Sequence, residues 1–213
     1  MAFETYTELK GAVADWLART DLTNRIPDFV RLAEMRIQQE LKLRYLETTI
    51  SGTMTAGVST IALPADCLEP ISLRITTSPP STLVVSAPDV MTRFEGDLTS
   101  RPKRVSHRGL TLWIAPVPDS NYPYSLTYHA RIVPLGTMVG VPPSSTETNW
   151  LTQNAANLLL YGALLESSPF IANDERIPVW AGLFDRCIVG VRTQNWRAQG
   201  GGGPITVQSD QVA

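Results

Sequence analysis

The stretch from Thr148 to Arg197 limits the fold more than any other part of the chain, because it reads as two helices that need partners. Its first half sets Leu151, Ala155, Leu158, Leu159, Gly162 and Leu165 on one face, at the i, i+3, i+4 spacing of a buried helix stripe. Pro169 lies just past it and cannot continue the hydrogen-bond ladder. The second half repeats the pattern with Trp180, Phe184, Ile188 and Val191, flanked by Cys187. Asn173 suits an N-cap, and Asp174 and Glu175 suit the positive end of the helix dipole. Pro178 is awkward so far inside a helix and shifts the expected start to Ile177. Tyr161-Gly162-Ala163 leaves a slot where another backbone can come close. Two helices bury little by themselves, so more helices must cover them.

The N-terminal region supplies candidates. Thr5 and Glu8 form a capping box ahead of a helix that buries Leu9, Val13, Trp16 and Leu17. Asp21 to Asn24 is a turn, and Ile26-Pro27 opens a second helix with proline at a favoured early position. Val30, Ala33, Ile37 and Leu41 share one face of that helix, which ends before Thr48.

From Thr48 the helical period stops. Short β-prone runs follow at 48–54, 58–63, 71–76, 82–86, 104–107, 110–115 and 124–132. Gly57, Pro79-Pro80, Arg108-Gly109, Pro116, Pro118 and Asn121 punctuate them. Pro88-Asp89 opens a short helix through Phe94. The expected architecture is α+β: a helical bundle from residues 1–47 and 148–199, an inserted antiparallel β domain with return linker at 48–147, and an extended C-terminal tail at 200–213. Pro134 to Ser145 is the return linker. Gly200 to Gly203 is a hinge, since a phosphate loop needs a strand before it and Lys-Ser/Thr at its end. In the tail, Ile205 and Val207 alternate as a strand added to another chain would.

Chemistry is sparse. With a net charge of −2, the chain is not a general nucleic-acid binder. No apolar run is long enough to span a bilayer, and Met-Ala-Phe-Glu-Thr does not open a signal peptide. Cys67 and Cys187 sit in unrelated contexts and read as buried or half-buried thiols. His107 and His129 fall in strand-like runs, and Ser106 and His107, being neighbours in a strand, face opposite ways. Asp66 and Glu69 share a loop with no evident cleft. Neither a nucleophile elbow nor a metal-ligand spacing is present, so no catalysis, metal or cofactor is expected. Arg101, Lys103, Arg104, His107 and Arg108 form one basic cluster beside Trp113. It admits three readings: a solvated hairpin, an interface with an acidic partner, or phosphate contacts to DNA. Trp113, Tyr122, Tyr124 and Tyr128 would suit a sugar-stacking surface on a glycan-binding or hydrolytic β domain.

The order of several short segments carries a family resemblance. Thr148-Asn-Trp-Leu151, Leu160-Tyr-Gly-Ala-Leu-Leu-Glu166, Pro169, Asp174-Glu-Arg176, Trp180 and Gly201-Gly-Gly-Pro204 stand at one end of the chain. Asp15-Trp-Leu17, Asp21-Leu-Thr23, Ile26-Pro-Asp-Phe29, Leu32-Ala-Glu34 and Arg36-Ile37 stand at the other. Together these resemble the head-to-tail adaptor proteins of tailed bacteriophages. The resemblance implies a non-enzymatic virion protein, made in the host cytoplasm and placed in the neck. It implies a homo-oligomeric ring of twelve subunits between the portal protein and the next tail component, a nozzle or tail tube. Double-stranded DNA would pass through that ring, with no membrane involved. It also places portal contact on the C-terminal tail, here Gly203, Pro204, Ile205, Thr206, Val207 and Gln208. A stopper or other neck ring is the nearest alternative within the same class.

Overall fold

The computed structural model describes residues 4–41, 43–92, 99–138, 144–171 and 174–199. They form an α+β protein in two compact units. One comes from the two ends of the chain, up to Tyr45 and from Ile132 onward, and the other is Leu46–Arg131.

In the helical unit, α1 (Tyr6–Leu17) begins with the expected capping box. The Glu8 N–H donates to Thr5 Oγ1 at 3.2 Å, and the Thr5 N–H donates back to the Glu8 carboxylate at 3.2 Å. Ala18, in the left-handed region at φ 51°, ends the helix. A 3-10 turn at Thr23–Arg25 leads into α2 (Ile26–Glu40), with Pro27 in its first turn. Helix α3 (Pro88–Met91) belongs to the other unit. After the return segment come α4 (Trp150–Asn154), α5 (Ala156–Glu166) and α6 (Ile177–Gln199). Helix α5 carries apolar residues all round, and α1, α2 and α6 all pack on it. Leu158, Leu159, Leu160, Ala163 and Leu164 are buried there. Trp180, Phe184, Ile188 and Val191 form the buried stripe of α6, as their spacing predicts.

Four local expectations need correction. The single helix over Leu151 to Leu165 is two, broken at Ala155, where φ is −148° and ψ is 41°. Polar side chains compete with the ladder there: Asn154 Nδ2 donates to the Trp150 carbonyl, and the Leu158 N–H donates to Asn157 Oδ1. Leu165 is only half-buried. Trp16 is 38% exposed rather than core, its ring edge-on to Tyr161 with centroids 5.8 Å apart. Helix α6, by contrast, starts at Ile177 as Pro178 predicts, with Asp174 and Glu175 just ahead of it; the expected cap Asn173 lies outside the described residues. The return linker is in part a hairpin, β9 (Gly136–Met138) against β10 (Ser144–Thr146), and it belongs to the helical unit.

In the other unit, one sheet has the order β1 (Glu47–Met54), β8 (Tyr122–Ala130), β3 (Cys67–Ile75), β4 (Ser81–Thr82). The second has the order β2 (Thr60–Ala62), β7 (Thr111–Ala115), β6 (Arg104–Arg108), β5 (Val84–Val85). The run 81–85 crosses between them: the Leu83 N–H donates to the Leu73 carbonyl, and the Val84 N–H to the Lys103 carbonyl. Strands β5 and β6 are parallel, so the expected all-antiparallel domain is mixed. The chain between them passes through α3, the kind of long crossover that a parallel pair requires. Met54, Leu73, Ile75, Leu112, Ile114 and Leu126 lie in the core the two sheets share. The short helix expected through Phe94 is α3, ending at Met91; residues 93–98 lie outside the described residues.

Candidate functional site

The structure separates the basic cluster into distinct tasks. Arg101 is half-buried, and its Nη2 donates to the carbonyls of Thr77 (3.2 Å) and Pro79 and to Ser81 Oγ (3.3 Å). Its guanidinium lies 5.8 Å from the centroid of the Tyr122 ring. Arg101 therefore holds the 77–81 loop, which a phosphate-gripping residue could not do at the same time. Arg104 Nη1 donates to Ser86 Oγ at 3.2 Å. Arg108 is exposed and rests over Trp113, 5.7 Å from the ring centroid. Lys103 is exposed. His107 faces the other way from Arg104 and Arg108, as alternate strand residues do, and lines a cleft.

That cleft was not legible beforehand. It opens where β3 and β5 diverge, with a volume of about 190 Å³. Ile71, Leu73, Val85, Val105, Leu112 and Leu126 line it, with Glu69 and His107 among them. Small-molecule sites usually enclose roughly 300–1,000 Å³, so this one suits a single apolar side chain of a partner better than a cofactor.

The aromatic residues offer no sugar platform. Trp113, Tyr124 and Tyr128 are buried, and Tyr122 donates its hydroxyl to Asp119 at 2.7 Å. Tyr128 likewise donates to Asp66 at 3.2 Å, so Asp66 is engaged in the fold. Both cysteines are free and half-buried. Burial pushes the Cys67 thiol above its usual range, with Asp66 adding to the shift, and burial also raises Cys187. Neither is poised as a thiolate nucleophile. No group of three or more His, Cys, Asp or Glu side chains among the described residues is arranged to hold a metal ion. Nor is any helix among them long and apolar enough to cross a membrane.

One buried polar centre does stand out, and it belongs to the helical unit. Glu34 on α2 is 4% exposed. Its Oε1 accepts from the Leu135 N–H (3.1 Å) and Asn149 Nδ2 (2.8 Å), while Oε2 lies 3.6 Å from Arg31 Nη1. Gln38, one turn on, accepts from the Ile132 N–H at 3.0 Å. Burial pushes the Glu34 carboxyl above its ordinary range, against the opposing effects of Leu135, Arg31 and Asn149. The centre fastens the return segment to α2. A cleft of about 530 Å³ lies beside it, lined by Tyr6, Lys10, Asp28, Arg31 and Leu135, and Glu34 is not among its lining residues. The tail residues Gly203 to Gln208 lie outside the described residues.

A family model described as SU10 adaptor protein matches residues 4–208. The chain belongs to the SU10 adaptor protein family. It is thus a phage head-to-tail adaptor protein, a structural class, which agrees with the resemblance carried by its two ends. The adaptor match spans both compact units and continues to Gln208. No curated protein matches the chain.

Proposed function

We propose that this adaptor forms a closed ring of twelve copies in the virion neck, joins the portal to the next tail component, and surrounds the channel through which double-stranded DNA passes. The family match over residues 4–208 carries the reading. The helical units pack side by side around the ring, and the β units, with their apolar cleft, face the tail component. A net charge of −2 suits a conduit, because a strongly basic wall would hold the DNA it must release. No catalytic step is needed.

The segment Gly203 to Gln208 makes the portal contact in this account. From Gly200 to Ala213 there are 14 residues, which reach roughly 45 Å when extended, enough to leave one ring for its neighbour. Ile205 and Val207 supply apolar anchors, and main-chain hydrogen bonds supply much of the rest. So small a contact must be repeated around a ring to hold. A chain ending at Gln199 tests this. It should melt like the full chain and fail to co-sediment with portal rings. Undiminished docking of the shortened chain would assign the joint to the helical unit instead.

A further inference from the structure

The outer faces of α1 and α6 are opposite in charge, and each is built around glycine. On α1, Glu8, Gly11 and Asp15 are exposed on the side away from the helix's own buried stripe, with Glu4 just before it. On α6, Gly182, Arg186, Gly190, Thr193 and Arg197 are exposed on the side away from Trp180 and Phe184. A Cβ placed at Gly11, Gly182 or Gly190 would meet nothing within 4 Å. The chain's own packing therefore does not require glycine there, although glycine weakens a helix interior relative to alanine. Among the described residues, neither Arg186 nor Arg197 forms an ion pair, and Asp15 forms none either. The outer side of α2 mixes both signs, with Arg25 paired to Asp28, and offers no comparable match.

Resting on the ring reading above, we infer that the acidic face of α1 in one copy packs against the basic face of α6 in the next. The glycines let the two backbones approach. Because two different faces meet, the contact is head-to-tail, the kind that closes into a ring rather than a two-fold dimer. Its size sets how it is used. Helix α1 has 12 residues, about 18 Å at about 1.5 Å each, and presents a face about 10 Å wide. The face covers roughly 180 Å² per copy, far less than the roughly 800 Å² per partner of a stable pair. The contact therefore sets the register of neighbours in an assembled ring and does not hold two free copies together. Being an exposed charge contact, it weakens with salt.

The test uses the full chain assembled on portal rings, in a Cys67→Ala/Cys187→Ala background that melts normally. Gly11→Cys and Gly190→Cys are introduced together, and the rings are treated with a short bismaleimide. The expected result is a ladder of covalent oligomers extending well beyond two chains, with neither single-cysteine variant giving one. Assembled rings that give no ladder, or one stopping at two chains, would overturn the inference and leave the ring itself standing. Failure of the untreated background to form any ring would instead strike at the ring reading. A charge exchange gives an independent check. Arg186→Glu/Arg197→Glu should abolish the ladder, and adding Asp15→Arg in the same chain should restore at least half of it. No restoration would show that the two faces do not meet. Glu8 is left in place because its carboxylate also caps α1.

Discussion

Glu34 on α2 accepts a hydrogen bond at 2.8 Å from the side-chain amide of Asn149, the residue that caps α4. The same carboxylate oxygen takes the Leu135 N–H, so one buried acid ties α2 to both ends of the return segment. Asn149 completes the tie by donating to the Val133 carbonyl at 2.9 Å and exchanging hydrogen bonds with Thr152.

This arrangement makes stability depend on pH in a defined direction. Burial raises the folded-state pKa of Glu34, whereas in the unfolded chain it ionises near about 4.3. Between those values the folded protein binds more protons. The stabilisation from protonated Glu34 is therefore full below about pH 4.3 and is lost as pH rises through the folded value. Melting temperatures of the wild type and Glu34→Gln, compared from pH 4 to pH 7, should show the variant's value minus the wild type's rising steadily with pH. Curves that stay parallel across that range would show that Glu34 does not titrate with folding there.

Gly162 gives a prediction whose sign is diagnostic. A Cβ at this position would lie 3.0 Å from Ala33 Cβ on α2 and 3.3 Å from Phe184 Cε2 on α6. Helix propensity alone would make Gly162→Ala stabilising by about 0.5–1 kcal/mol. Overpacking at this crossing should win and cost about 1–3 kcal/mol in urea melts. A stabilised variant would mean that the three helices are not this close.

The basic cluster can be divided by stability measurements alone. Arg101→Ala removes the donors that hold the Thr77 and Pro79 carbonyls and should cost about 1.5–3 kcal/mol. Lys103→Ala, at an exposed position, should change stability by less than about 0.5 kcal/mol. Equal and negligible shifts for both would place Arg101 in solvent.

These residues also show what the sequence discloses and what it does not. Features set by near neighbours were legible. Thr5 with Glu8 announced the start of α1, Pro178 moved α6 to begin at Ile177, and the spacing of Trp180, Phe184 and Ile188 marked its buried face. The slot at Gly162 was likewise visible as a small residue within an apolar stripe. Features set by distant partners were not. Nothing local marks Glu34 as buried, because the groups that donate to its carboxylate, Leu135 and Asn149, lie 101 and 115 residues away. Arg101 resembled its basic neighbours until the loop carbonyls it holds came into view. The parallel pairing of β5 depends on a crossover, and the cleft beside it on where two strands part; neither leaves a local pattern. The break at Ala155 was within reach, since Asn154 and Asn157 flank it, but the apolar stripe runs straight through.

The most direct measurement is an image of the virion neck at a resolution that distinguishes helices. The account predicts a closed ring of twelve copies of this chain directly below the portal, with an open axial channel and each C-terminal segment on the portal. Copies found elsewhere in the particle, or a neck in which another chain fills the position next to the portal, would contradict it.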